Sequence, residues 1–396
     1  IDMNKLITYS KVVIIILVLS LTLGGCKGEE NIQKVEDVVS NPEEIANNDK
    51  TLVKTGELEL KYAKSFSVEY FEGGYKILTD GNGDKTILIP VGKEVPELDE
   101  DIKVVHQPVK KVGPFSTVNM TMLRALDSID MATIVTTPLD GWYVDDVIER
   151  MESGQITFVG RNNSPDYELI QAANPDVILL TASMDENTLK MIESLEELGI
   201  NWIGMNVNME NDPRGRLEWV KYVGAILDKE EEAEEFFERE LKKIEEIENS
   251  TLESDGVKPK VSYVRITDDG YTVKNQGDYS VKMLELAGGD YIFKDLNPGK
   301  DGTLKISAEE FYKAAEDADI IIYENMGAFV GTMEEFLEKG DHLSGIKAVK
   351  EGRVWVTKRN YWQSADKAAD MIKELRDIFT TPHGELEETE HYLLAK

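Results

Sequence analysis

Residues 165–180 read PDYELIQAANPDVILL: a helical segment (167–173), a break at Asn174-Pro175-Asp176, and four consecutive apolar residues (177–180). A short unbroken apolar run bounded by turn residues fits a strand buried on both faces. Strands of that kind sit in parallel sheets whose faces are covered by helices. Outward from this stretch the same alternation repeats. Short apolar runs at 109–112, 134–135 and 156–159 precede it. A second series follows, with strands at 261–266, 318–323 and 354–356, and helices at 280–287 and 365–379. Strand–helix alternation implies a mainly parallel sheet, and two series imply two α/β units.

Between the two series, DKEEEAEEFFERELKKIEEIEN (228–249) places Ala233, Phe236, Phe237, Leu241, Ile244 and Ile247 at helical spacing. At 1.5 Å per residue this predicts a rod of roughly 30 Å joining the units, and a single stiff helix limits hinge opening. Residues 58–106 alternate with period two between the turns Gly73-Gly74 and Asp80-Gly81-Asn82-Gly83, which predicts hairpins ahead of the first unit.

Composition narrows the function. With 396 residues and 41% hydrophobic content the chain can build two or three cores. Its 44 Lys+Arg against 76 Asp+Glu give −32, a charge that repels nucleic-acid phosphates. One cysteine and four scattered histidines argue against disulfides and multi-cysteine metal sites, although any one histidine would serve as an axial haem ligand. The stretch 80–84 begins like a calcium loop, but Lys85 and Val91 stand where that loop needs glycine and a bidentate glutamate. No Walker loop, HExxH or G-x-S-x-G occurs, so no enzyme is expected and no catalytic residue or cofactor is assigned. Met120 and Met122 read as core.

The amino terminus carries Lys5 and Lys11 ahead of an apolar run at 12–23, the length of a secretory signal and short for a bilayer span. The run ends in Leu23-Gly24-Gly25-Cys26, which resembles the lipobox of bacterial lipoproteins. The resemblance implies cleavage before Cys26, lipidation of its thiol, and an extracytoplasmic protein held to the cell membrane by that lipid alone. Residues 27–54 are polar and nearly free of aromatics, so they read as a tether. The expected organisation is a signal peptide (1–25), a tether (26–56), a first α/β lobe with leading hairpins (57–227), a spine helix (228–250) and a second α/β lobe (251–396).

Several segments together resemble the substrate-binding lipoproteins of iron–siderophore, haem and cobalamin ABC importers, the helical-backbone class of periplasmic binding proteins. Pro165 to Ile170 followed by Asn174 to Leu179 is similar to that family's helix and strand in the first lobe. Ile306-Ser307-Ala308-Glu309-Glu310-Phe311, followed by Asp317-Ala318-Asp319-Ile320-Ile321-Ile322, is similar to their counterpart in the second lobe, with Ala318 where proline is usual. Gly288 to Phe293, Gly352 to Val356 and the spine helix add to the resemblance, which runs over residues 60–380. It implies two α/β sandwich lobes joined by one long helix, with a small-molecule cleft between them. It also implies a monomer that captures a metal chelate and hands it to a permease and its ATPase, with one docking glutamate per lobe, Glu168 and Glu309. Glu310 competes for the second role.

Clefts in α/β lobes form at the carboxyl ends of strands. That rule selects Phe115, Trp142, Tyr143 and Arg161 in the first lobe, and Arg265, Tyr271, Tyr361 and Trp362 in the second. The aromatics would wall a bulky ligand and the arginines would neutralise an anionic chelate; no direct metal ligand is assigned. A ferric chelate is the expected ligand, with cobalamin or haem as alternatives. An extracellular enzyme acting on a cofactor or glycan would need an acid/base pair in the cleft, where Asp140, Asp145 and Asp268 are the few carboxylates.

Overall fold

The computed structural model describes residues 52–99, 101–250 and 258–396. The expected signal peptide, Cys26 and the tether as far as residue 51 lie outside the described residues.

An N-terminal sheet comes first. Strands β1 (Lys54–Glu57), β2 (Ser67–Phe71), β3 (Lys76–Thr79), β4 (Lys85–Ile89) and β5 (Lys103–His106) lie side by side in chain order. The first four are antiparallel and β5 runs parallel to β4. β1 takes up residues 54–56, which sequence placed in the tether. Its polarity suits an edge strand, where Lys54 forms ion pairs with Glu57 and Glu69. The turn between β3 and β4 is closed by Asp80, whose Oδ1 accepts the amides of Asn82 (2.9 Å) and Asp84 (3.0 Å).

The first lobe runs β6 (Val112–Pro114), α1 (Thr117–Ala125), β7 (Ile134–Val135), α2 (Asp145–Glu152), β8 (Thr157–Phe158), the hairpin β9 (Gly160–Arg161) and β10 (Ser164–Pro165), α3 (Tyr167–Ala173), β11 (Val177–Leu180), α4 (Glu186–Glu197) and β12 (Trp202–Gly204). β12, β11 and β6 form a parallel sheet, and a bridge from Val112 to Ala132 connects it to the parallel pair β7–β8. All four residues of β11 are buried, as a central parallel strand requires. β6 starts three residues later than the apolar run at 109–112 suggested. The cause is Asp176, whose carboxylate accepts the amides of Lys110 (2.7 Å) and Lys111 (2.8 Å) and withdraws them from the ladder.

Two helices follow, α5 (Pro213–Leu227) and α6 (Glu230–Asn249). Asp228 ends α5 in the left-handed region (φ 56°), so the chain reverses at the residue where the spine was expected to start, and α6 begins two residues later at Glu230. The helices meet closely at Gly224, where a Cβ would lie 2.6 Å from that of Ala233. α6 then packs on α7 and α11 of the second lobe.

That lobe contains β13 (Lys260–Thr267), β14 (Gly270–Lys274), α7 (Tyr279–Leu286), β15 (Asp290–Tyr291), β16 (Thr303–Ile306), α8 (Ala308–Ala315), β17 (Ile320–Tyr323), α9 (Met333–Leu337), α10 (Lys347–Lys350), β18 (Val354–Thr357), α11 (Ala368–Thr380) and β19 (Tyr392–Leu394). The strand order is β16-β14-β13-β17-β18-β19, with β15 also paired to β13. β13, β15, β17 and β18 are parallel, while β14, β16 and β19 add antiparallel edges. Asp319 repeats the device of the first lobe, accepting the amide of Lys260 at 2.7 Å. The aspartate ahead of the central strand in each lobe therefore holds the start of a neighbouring strand. The architecture is α/β, two sheet-containing lobes with a backbone helix between them. One apolar core runs from the N-terminal sheet through α5 and α6 into the second lobe.

Candidate functional site

The lobes meet along a polar seam at the carboxyl ends of their strands. From the second lobe, the turns after β18 (Tyr361–Gln363 and Ala365–Lys367) reach α1 and the 138–143 loop of the first. The Gln363 side chain donates to the Gly141 carbonyl (2.7 Å) and accepts the Tyr143 amide (2.8 Å). Arg124 of α1 grips Asp366 with two hydrogen bonds (2.8 and 2.5 Å) and donates to the Gln363 carbonyl (3.0 Å). Asp366 is buried and Arg124 mostly so, which makes this a charge-assisted clamp and not a surface pair. Thr117 adds a bond to the Trp362 carbonyl (3.3 Å).

Around the seam the second lobe presents cations and aromatics. Glu324, 1% exposed at the end of β17, sits between Lys274 (2.7 Å) and Arg265 (3.7 Å). One carboxylate thus serves two cations. Lys274 Nζ also lies 5.4 Å from the Tyr263 ring and 5.9 Å from that of Trp362. Trp362 is 40% exposed and rests edge-on against the buried Tyr361. Burial drives the Tyr263 and Tyr361 phenols above their ordinary range, so both are neutral hydrogen-bonding groups in the wall.

On the first-lobe side, a cavity of about 100 Å³ is lined by Ser116, Asn119, Thr181, Asn208, Arg216 and, from the second lobe, Ala365, among others. Arg216 comes from α5. Its Nε donates to the Glu210 carbonyl (2.7 Å) and its guanidinium lies 3.8 Å over the Tyr279 ring. No carboxylate of a described residue pairs with it. Burial lowers its pKa, outweighing the opposing attraction of Asp278 and Glu210 at longer range.

The eight residues selected at strand ends divide by what their side chains touch, since Tyr361 is as buried as the core rings yet packs against Trp362 at the seam. Phe115, Trp142 and Tyr271 lie in the core and not in the cleft wall: Phe115 packs under the first-lobe sheet, Trp142 donates to the Thr137 carbonyl, and Tyr271 stacks on Phe311 with its hydroxyl on His342. The reason is the same for each: a strand-end position fixes where the backbone is, while local packing fixes the face its ring takes. Arg161 is exposed on the β9–β10 hairpin and pairs with no described carboxylate. Tyr143, Arg265, Tyr361 and Trp362 gather at the seam. Arg124, Arg216, Lys274, Glu324 and Gln363 were missed. They lie within helices, strands or caps, and only Lys274 and Glu324, at the ends of β14 and β17, were within reach of the strand-end rule.

Glu168 and Glu309 are exposed in the first turns of α3 and α8. Glu310, the competing residue, is committed to a capping box: its carboxylate takes the Ser307 amide (2.8 Å) and hydroxyl (2.7 Å), which depresses its pKa. A groove of about 570 Å³, with Phe293, Leu296, Ile306 and Ala314 in its lining, opens beside this turn. No helix among the described residues is long and apolar enough to cross a membrane.

Comparison with known proteins bears on this geometry. Residues 116–361 match the family model described as "Periplasmic binding protein". Two uncharacterised lipoproteins of Methanocaldococcus jannaschii are similar over most of their length. One is 30% identical, covering 94% of this chain and 92% of its own, and the other is 25% identical, covering 87% and 89%. Among solved structures, a possible iron-binding periplasmic solute-binding protein of Staphylococcus epidermidis superposes with a TM-score of 0.56 at 20% identity, covering 69% of this chain and 100% of its own. A periplasmic haem-binding protein of Vibrio cholerae gives 0.54 at 15% identity, covering 67% and 98%. At these identities the structural likeness is one of fold.

Proposed function

This chain belongs to the periplasmic binding protein family, and from that premise we propose that it is the extracytoplasmic, lipid-anchored solute-binding component of an ABC importer, capturing an anionic iron chelate between its lobes. The single observation that carries the ligand assignment is the charge of the seam. In a chain of net charge −32, Arg265 and Lys274 share one carboxylate, Arg216 pairs with none among the described residues, and the exposed indole of Trp362 lies 5.9 Å from Lys274. That combination suits a ligand with negative groups and a flat or bulky apolar part. Two proteins of the same fold, a possible iron-binding protein and a haem-binding protein, support the same class. The relatives named lipoproteins support anchoring through Cys26.

Capture proceeds with small lobe movement, because the lobes share one core and are braced by α6. Delivery uses Glu168 and Glu309, one exposed carboxylate on each lobe, to orient the receptor on permease cations. An enzymatic reading is disfavoured by the seam carboxylates themselves, since Glu324 and Asp366 are held in ion pairs and not poised as an acid/base pair.

The test is native mass spectrometry and absorption spectroscopy of the purified protein with ferric siderophores, haem and cobalamin. One stoichiometric complex with a ferric siderophore is expected. A Soret band with haem alone would move the assignment to haem, and no binding across the panel would overturn it. Reversing both Glu168 and Glu309 to lysine should abolish transport while leaving ligand affinity unchanged; unchanged transport would remove the docking role.

A further inference from the structure

The 100 Å³ cavity at the head of α1 carries more information than charge. Its size is that of roughly three water molecules, or of a two- or three-carbon acid. Three independent features converge on it. The first is Arg216, whose guanidinium has only the Glu210 carbonyl as a described hydrogen-bond partner. The carboxylates that act on it from further away, Asp278 and Glu210, are committed to backbone amides, Asp278 to Ser280 (2.8 Å) and Glu210 to Lys64 and Ser65 (2.8 Å each). A partly buried cation without a partner is costly unless a ligand supplies the charge.

The second is the amino end of α1, a nine-residue helix whose Ser116, Val118 and Asn119 line the cavity. Ser116 Oγ caps the Asn119 amide (3.0 Å), leaving the amides of Thr117 and Val118 without helical acceptors. They add donors and the positive end of the helix dipole to the positive charge of Arg216.

The third is an acceptor in this set of donors. Asn119 is 1% exposed; its Nδ2 donates to the Leu179 carbonyl (2.8 Å), which fixes the amide orientation and leaves Oδ1 buried with no partner. An orphaned buried acceptor beside an orphaned cation asks for one molecule that brings both an anion and a hydrogen-bond donor.

We propose that this cavity is the subsite for a carboxylate carrying a hydroxyl on the adjacent carbon, its oxygens held by Arg216 and the α1 amides and its hydroxyl donating to Asn119 Oδ1. The inference rests on the cleft reading above and specifies the end of the ligand that enters first. Thr181 and Ser116 add hydroxyls at the cavity wall, and Ala365 closes it from the second lobe, so the subsite is completed only when the lobes meet.

The experiment compares lactate with propionate, which differ by that hydroxyl, by calorimetric titration of the full chain. A fragment of about six non-hydrogen atoms is expected to bind in the millimolar range. Lactate should bind one per chain and at least about tenfold more tightly than propionate, because a site built around a hydroxyl penalises its absence. Equal binding of the two, or no lactate binding at tens of millimolar, would overturn the proposal without any variant. Arg216→Gln should remove lactate binding and Asn119→Asp should remove it by repulsion, while Lys190→Gln, on the exposed face of α4, should leave it unchanged. Lactate affinity that survives in a folded Arg216→Gln protein would also overturn it. If the chelate panel fails and lactate still binds by these criteria, the subsite stands and the iron-chelate class falls. If the panel binds and lactate does not, the subsite alone falls.

Discussion

Glu218 illustrates how much this fold asks of single buried carboxylates. It is fully buried in α5, and its oxygens accept the consecutive amides of Lys61, Tyr62 and Ala63, each at 2.8 Å, while Glu210 takes the next two. Bonds to a charged acceptor exceed neutral ones, so Glu218→Gln should lower unfolding free energy by about 2–4 kcal/mol, read from the urea midpoint at constant slope. An unchanged midpoint would mean that the 61–65 loop is held by other contacts. Asp185, the cap of α4, gives a pH signature. Hydrogen bonds from Ser183 and Thr188 hold its pKa at about 2. A depressed carboxylate pKa stabilises the fold above the unfolded value near ~4, and that contribution disappears as pH falls through the folded value. The thermal midpoints of the wild type and Asp185→Asn should therefore differ at pH 6 and converge toward pH 2. A gap that stays constant over that range would contradict the assignment.

Among the elements, the turns at 361–367 form the latch and α6 forms the brace. Cutting Gln363 to alanine removes both hydrogen bonds to the 138–143 loop but leaves the core intact. The expected result is a larger radius of gyration by small-angle scattering with a thermal midpoint nearly unchanged, together with weaker ligand binding. A loss of stability without lobe opening would make Gln363 a packing residue and not a latch. The helices and strands that sequence placed well, α3 and β11 above all, are those whose apolar period is uninterrupted. β6 began late because a side chain, Asp176, competes for its backbone amides, and α5 ended at Asp228 because one residue adopted a left-handed conformation. Neither event leaves a trace in periodicity.

At the scale of the whole molecule, the N-terminal sheet lies outside the family match at 116–361 yet is tied into the α5–α6 junction. Lys76 bonds the Ala225 carbonyl (3.1 Å) and Asp228 (2.8 Å), and Gln107 reaches Asp228 (2.8 Å). Deleting residues 52–106 should therefore give an unfolded or aggregating chain by circular dichroism and gel filtration, not a smaller soluble receptor; a folded remnant would show the sheet to be an accessory. The sequence by itself determined the α/β class, the two lobes and the amphipathic helix between them, because these follow from where apolar residues recur along the chain, and burial enforces that period locally. It also placed Tyr143, Arg265, Tyr361 and Trp362 near the ends of strands. Only the tertiary structure decided which rings turn into the core, as Phe115, Trp142 and Tyr271 do, and which cations lack a carboxylate partner among the described residues, as Arg216 does. A side chain's face and its partners are set by residues brought to it from elsewhere in the chain, as Phe311 and His342 are to Tyr271 and Tyr279 is to Arg216, and those pairings exist only once the chain has folded.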